Sequence, residues 1–212
     1  MIVSMATARS RRVENTESTR QALVKSAVVL FTKKGYAGTS LDEIAKRARV
    51  TKGALYHHFN GKQALFEAAF EDVESQVVRR LSAVLFAGGD IWETVRAGLG
   101  EFLQVCLEPS YQRIVVHEAP AVMGWERWRE AEERYTFGVI REAVQALVDA
   151  GEFTPLPIEA LAHVVYGALS AGASTIAGSA RPKQTSAEVG QVVDAVMQGL
   201  RVAACAGASC GH

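Results

Sequence analysis

The tightest constraint on the fold is the helix punctuation between Gly35 and Gly61. Gly35 supplies a left-handed residue on which a helix can end, with Tyr36 free to pack back. Ser40-Leu-Asp-Glu43 reads as a capping box, in which the serine hydroxyl satisfies an orphan N–H while Glu43 reaches back to the cap. Arg49 and Val50 make the next turn, Thr51 is a good N-cap, and Asn60-Gly61 stops the helix that Thr51 opens. Two short helices joined by a tight turn follow from this spacing. Their hydrophobic support is a preceding helix over about Thr19 to Lys34, with Leu23, Ala27, Leu30 and Phe31 on one face.

Beyond Gly61 no run of alternating β-branched residues flanked by hairpin turns appears, so the expected fold class is all-α with about nine helices. From Lys62 to Phe86 the apolar residues Leu65, Phe66, Ala69, Phe70, Val73, Val77, Leu81, Val84 and Leu85 form one stripe. At 1.5 Å per residue that helix is about 36 Å long, enough to join two units. Gly88-Gly89, Pro109, Pro120, Gly151, Pro155 with Pro157, and Gly178 to Pro182 mark later breaks. These signals predict a flexible basic arm over residues 1–18, a helix-turn-helix domain over 19–62, a second helical domain over 63–204, for which regulation and dimerisation are the economical roles, and a tail over 205–212.

Composition narrows the class of partner. With 49% apolar and 22% charged residues the chain can build a core, and its net charge of zero conceals a division. Residues 1–62 hold 12 Lys and Arg against 4 Asp and Glu, while the remainder holds 11 against 19. One end attracts polyanions and the other repels them. Lys46, Arg47, Arg49, Lys52 and Lys62 lie inside patterned sequence, unlike Arg9, Arg11 and Arg12, which a solvated tail or a minor-groove arm explains equally well. The opening residues lack the pattern of a secretory leader, and an odd count of three cysteines suits a reducing compartment, so a cytoplasmic location is expected. Ala160 to Ala180 has membrane length and no Asp, Glu, Lys or Arg, but His163, Tyr166, Thr175 and its serines and glycines fit a packed soluble helix better, and no membrane partner is expected.

On the third helix, at 100° per residue, Leu55 and Phe59 share one face while Gly53, Ala54 and His57 share the other. The presented face has almost no long side chains, which suits a backbone that comes close to a DNA groove. Thr51, Lys52 and the free N–H groups at the helix start favour a phosphate, with Tyr56 and Lys62 flanking.

The stretch Ala27-Val-Val-Leu-Phe31, Gly35-Tyr36, Thr39-Ser-Leu-Asp-Glu-Ile-Ala45, Val50-Thr-Lys-Gly-Ala-Leu-Tyr-His-His-Phe59 and Lys62-Gln-Ala-Leu-Phe66 closely resembles the N-terminal domain of the TetR family of bacterial transcriptional regulators. Past Phe66 the resemblance is one of layout. It implies contacts to double-stranded operator DNA from Thr39 or Ser40, Thr51, Lys52, Gly53, Ala54, Tyr56, His57, His58 and Lys62. His58 lies nearer the flank, where packing under the helix is an equal alternative. The layout also implies a homodimer formed through Ile158 to Ile176, rich in Ala, Gly and Ser, and Ser186 to Ala204, with its valine stripe.

Larger aromatic and polarisable residues collect in the second half. Phe102, Tyr111, His117, Met123 and Trp125 are candidates to line an apolar effector cavity. So are Trp128, Tyr135, Phe137, His163 and Tyr166, although large apolar residues at helical spacing are usually core.

Catalytic readings fail on context. Gly207-Ala-Ser-Cys-Gly211 matches a nucleophile elbow with no strand before it, and His117-Glu118 has Ala121 where a zinc motif needs its second histidine. Cys205, Cys210 and His212 are too few for a structural zinc site, so no catalytic residue, cofactor or metal is expected. The reading is a homodimeric repressor of a palindromic operator, released by a small hydrophobic effector. A constitutive DNA binder, or a helical enzyme or carrier with a DNA-binding appendage, stays open as the alternative.

Overall fold

The computed structural model describes the backbone of residues 2–201 and the side chains of residues 16–201. Its elements are α1 (Ile2–Lys34), α2 (Leu41–Ala48), α3 (Lys52–His58), α4 (Lys62–Leu85) and α5 (Ile91–Val105). A π-helical stretch, Tyr111–Glu118, then runs into α6 (Ala119–Met123). Next come α7 (Trp125–Glu132), a second π-helical stretch (Glu133–Phe137) and α8 (Gly138–Asp149), followed by α9 (Ile158–Ala177) and α10 (Pro182–Leu200). Joined end to end these make nine continuous helices among the described residues, and the all-α expectation is met.

Three boundaries differ from expectation. The first helix begins at Ile2 and not near Thr19, because no proline or glycine stands between Ile2 and Lys34 to stop it; of the flexible arm expected over 1–18, residues 2–18 are helical. Pro182 opens α10, where Ser186 was expected, since a proline at the first helical position surrenders an N–H that would be orphaned anyway. Leu200 closes α10 and an isolated bridge at Arg201 follows, so the end expected at Ala204, with the 205–212 tail, lies outside the described residues.

The chain forms two compact units, one running to Val77 and including Glu108–Glu132, the other comprising Val78–Leu107 and Glu133 onward. The boundary expected at residue 62 falls inside the first unit. Its core is Leu23, Ala27 and Phe31 from α1, Ile44 from α2, Leu55 and Phe59 around α3, and Leu65, Phe66 and Phe70 from α4. Phe66 sits edge-on to Phe31 at 5.2 Å and to Tyr36 at 5.4 Å. Two polar ties bind Glu108–Glu132 to this unit: Arg127 Nη1 to Glu67 Oε1 at 2.9 Å, and Glu118 to the Tyr36 N–H.

The second unit packs Trp92, Ile140, Val144, Leu147, Phe153, Leu161 and Met197 into its core. Arg201 fastens the end of α10 by an ion pair to Glu152 at 2.6 Å and by stacking over Trp92 at 4.3 Å. Gly172 lets α9 and α10 close on each other, because a Cβ there would come within 2.8 Å of Val189. Among the described residues α9 alone has the length and apolarity of a membrane span, and it lies packed against α8 and α10.

Candidate nucleic-acid interface

The turn between α2 and α3 is built by its caps. Ser40 Oγ accepts from the Glu43 N–H at 3.2 Å while the Ser40 N–H donates to Glu43 Oε2 at 3.1 Å, completing the capping box. Lys34 donates to Glu43 Oε1 at 2.6 Å, and this bond, with the Ser40 N–H, holds the Glu43 carboxyl below its usual range. Arg49 ends α2 in the left-handed region (φ 58°, ψ 38°), its N–H directed at the Ala45 and Lys46 carbonyls. Thr51 then caps α3, accepting from the Ala54 N–H at 3.1 Å.

Leu55 and Phe59 hold α3 to the core. Thr51, Lys52, Gly53, Tyr56 and His57 are exposed, with Ala54 and His58 half-buried at the margins. Tyr56 stays 50% exposed, a large aromatic that the fold itself does not use. The His57 and His58 rings lie edge to face at 5.4 Å. Lys52 pairs with Asp42 at 2.8 Å, and this hydrogen bond raises the lysine pKa.

Two expected DNA contacts face elsewhere. Thr39 is 2% exposed and its hydroxyl donates to the Gly35 carbonyl at 2.8 Å, so of the pair Thr39 or Ser40 only Ser40 is at the surface. The Lys62 ammonium donates to the Thr39 carbonyl at 2.8 Å and lies 4.4 Å from the centre of the Tyr36 ring. Its charge ties α4 to the turn between α1 and α2. Sequence could not reveal this, because backbone carbonyls make no composition signal.

The second unit holds an apolar cavity of about 80 Å³. Leu81 and Leu85 of α4, Leu99 and Phe102 of α5, Ile140 and Val144 of α8, Val165 and Leu169 of α9, and Val193 and Met197 of α10 form its walls. Among the described residues no charged side chain lines it, and Thr136, which bears the one polar side chain of the lining, turns no polar surface toward it.

Of the ten effector candidates, only Phe102 faces the cavity. Tyr111, His117, Met123, Trp125 and Trp128 belong to the first unit, where Tyr111 and Met123 are core and the two indoles lie tilted against each other at 4.9 Å. Phe137 packs on His163 at 4.4 Å and on Tyr166 at 5.9 Å, outside the lining, as is Tyr135. Apart from Phe102 and Phe153 the lining is almost wholly aliphatic, and it is drawn from five helices, so no local stretch distinguishes it from ordinary core. No group of His, Cys, Asp and Glu suited to a metal occurs among the described residues.

Comparison with known proteins agrees with this arrangement. Residues 23–69 match the family of bacterial regulatory proteins, tetR family, and residues 92–200 match the tetracyclin repressor-like C-terminal domain. The TetC protein of transposon Tn10 from Escherichia coli is 28% identical over 162 residues, 75% of this chain and 80% of that protein. The regulator AcrR of Shigella flexneri is 44% identical over 64 residues, 30% of each chain. A TetR-family transcriptional regulator from Pectobacterium atrosepticum superposes with a TM-score of 0.79 at 31% identity, covering 89% of this chain and 97% of the other. With both halves matched and a relative aligned along nearly its whole length, the chain belongs to the TetR family of bacterial transcriptional regulators.

Proposed function

We propose that this regulator is a homodimeric repressor that binds a palindromic operator through α3 and releases it when a small, uncharged, apolar effector enters the cavity of the second unit. The observation that carries the effector reading is the lining: among the described residues, no charged side chain reaches it. A buried ion with no partner is strongly disfavoured, so a charged compound would leave its hydration uncompensated there. Structures of the same fold include RolR with resorcinol and FadR of Bacillus subtilis with stearoyl-CoA, which supports a ligand role for this architecture.

The homodimer reading rests on the outer face of α9 and α10. Val164, Val192 and Val196 are 69%, 65% and 54% exposed, and Gly167, Ala168 and Ala171 lie exposed beside Val164 on the face of α9. A Cβ on Gly167 or Gly199 would meet nothing within 4 Å, so neither glycine serves packing within the chain. Each costs about 1 kcal/mol of helix propensity, which close approach of a second subunit would offset. In the reading unit, Thr51, Lys52 and Tyr56 hold phosphates while Gly53, Ala54 and His57 face the bases. The protein works in the cytoplasm and catalyses nothing.

The test is a thermal-shift screen that pairs neutral compounds with their carboxylates, naphthalene against naphthoate and decanol against decanoate. A neutral ligand at 100 times its dissociation constant should add about 2.7 kcal/mol of stability, and its carboxylate far less. Operator affinity is then measured with and without the best compound. Unchanged affinity at saturation would favour a constitutive DNA binder.

A further inference from the structure

The short turn between α1 and α2 is held from outside its own sequence. Gly35 ends α1 at φ +73°, its N–H bonded to the Phe31 carbonyl at 2.8 Å. That ending satisfies one orphan carbonyl and leaves the next N–H, on Tyr36, without a helical partner. Glu118 supplies one. Its Oε2 accepts from the Tyr36 N–H at 2.8 Å across 82 residues of chain, and its Oε1 pairs with Arg113 Nε at 3.0 Å.

The carboxylate occupies space that only glycine leaves open. A Cβ on Gly35 would collide with the Arg113 guanidinium and come within 2.5 Å of Glu118 Oε1. The electrostatics of the site are adverse for Glu118 alone, because a carboxylate beside a helix C-terminus meets the negative end of the helix dipole. Arg113 offsets this. The opposite side of the turn is held by Lys62, which lies against the Tyr36 ring and bonds the Thr39 carbonyl one residue before the Ser40 cap of α2. The residues that aim α2 and α3 are therefore clamped between α4 and the π-helical stretch Tyr111–Glu118. Glu118 closes that stretch, where wide i→i+5 turns set which way its side chain points.

We propose that Glu118 is a positioning residue for DNA reading: by holding the Tyr36 N–H it fixes the turn that sets the recognition helix against α1. This goes beyond the repressor reading and shares with it only the assignment of α3 as the reader. The test uses the full chain and a duplex that the wild-type protein selects from random sequences. Glu118→Ala should lower affinity tenfold or more. Glu118→Gln, whose amide oxygen still accepts from Tyr36, should bind within about threefold of wild type, and Glu118→Asp, one methylene short, should behave like the alanine variant.

In the free protein the Tyr36 amide proton should move upfield and exchange faster in the alanine and aspartate variants, and stay in place in the glutamine variant. If Tyr36 is unmoved by Glu118→Ala, or if it moves while affinity is unchanged, the proposal is overturned. A glutamine variant that folds but binds as poorly as the alanine variant overturns it too. Lys52→Ala, measured on the same duplex, separates the two readings. Full affinity in that variant alongside a loss in Glu118→Ala would remove Lys52 from the phosphate contacts and leave Glu118 as the positioner.

Discussion

At the scale of single residues, the surface expected to read DNA is partly engaged with the protein itself. Lys52 is held by Asp42 at 2.8 Å, so a phosphate must displace a carboxylate to reach it. Asp42→Asn should therefore tighten DNA binding no more than about two- to fivefold, the pair being exposed, and Lys52→Ala should weaken it about tenfold at any sequence. Titrations of both variants against specific and random duplexes check this, and a loss confined to one sequence in Lys52→Ala would assign that lysine to a base. Arg49 is the one non-glycine residue with positive φ among the described residues. Arg49→Gly should relieve the left-handed conformation and raise the urea midpoint by the equivalent of about 0.5–1 kcal/mol, while removing a cation from the basic unit. A lowered midpoint would mean that the arginine side chain contributes more than its backbone costs.

At the scale of elements, caps were legible in the sequence because each is encoded within a few residues. Ser40 with Glu43 and Thr51 with Ala54 form the bonds their spacing demands. Leu55 and Phe59 turn inward as helical periodicity requires. The partners of Lys62, Asp42 and Glu118 were not legible, since each depends on a rotamer and on a group that only the folded chain brings near. Neither were the π-helical stretches, because an i→i+5 ladder has no composition of its own. The cavity hid for a related reason: Leu99, Val144 and Val193 look like any core residue until five helices assemble.

Ser40→Ala should cost about 1 kcal/mol, read by thermal or urea denaturation. Glu43 gives the cap a pH dependence. Its folded pKa lies below the ordinary value, so its contribution is present above the unfolded pKa and is lost as pH falls through the folded one. Stability measured downward from pH 6 should therefore fall less steeply in Glu43→Gln than in wild type, and parallel curves would remove Glu43 from the acid limb.

At the scale of the whole molecule, α9 and α10 turn apolar side chains in two different directions. Inward, Val165, Leu169, Val193 and Met197 line the cavity; outward, Val164, Val192 and Val196 stand exposed. Val164→Glu with Val192→Glu should give a folded monomer by sedimentation, with unchanged helicity and a loss of operator affinity of a hundredfold or more. Wild-type affinity in a proven monomer would end the dimer reading. Because an effector and a second subunit would grip the same two helices, linkage makes their effects reciprocal: whatever occupancy does to pairing, pairing does to occupancy. Effector affinity measured above and below the dimer dissociation constant should then differ, and identical values would show the two faces to be independent. A cell carrying more copies of this regulator would read the same dose of effector differently from one carrying few, so gene dosage becomes part of the sensor's calibration.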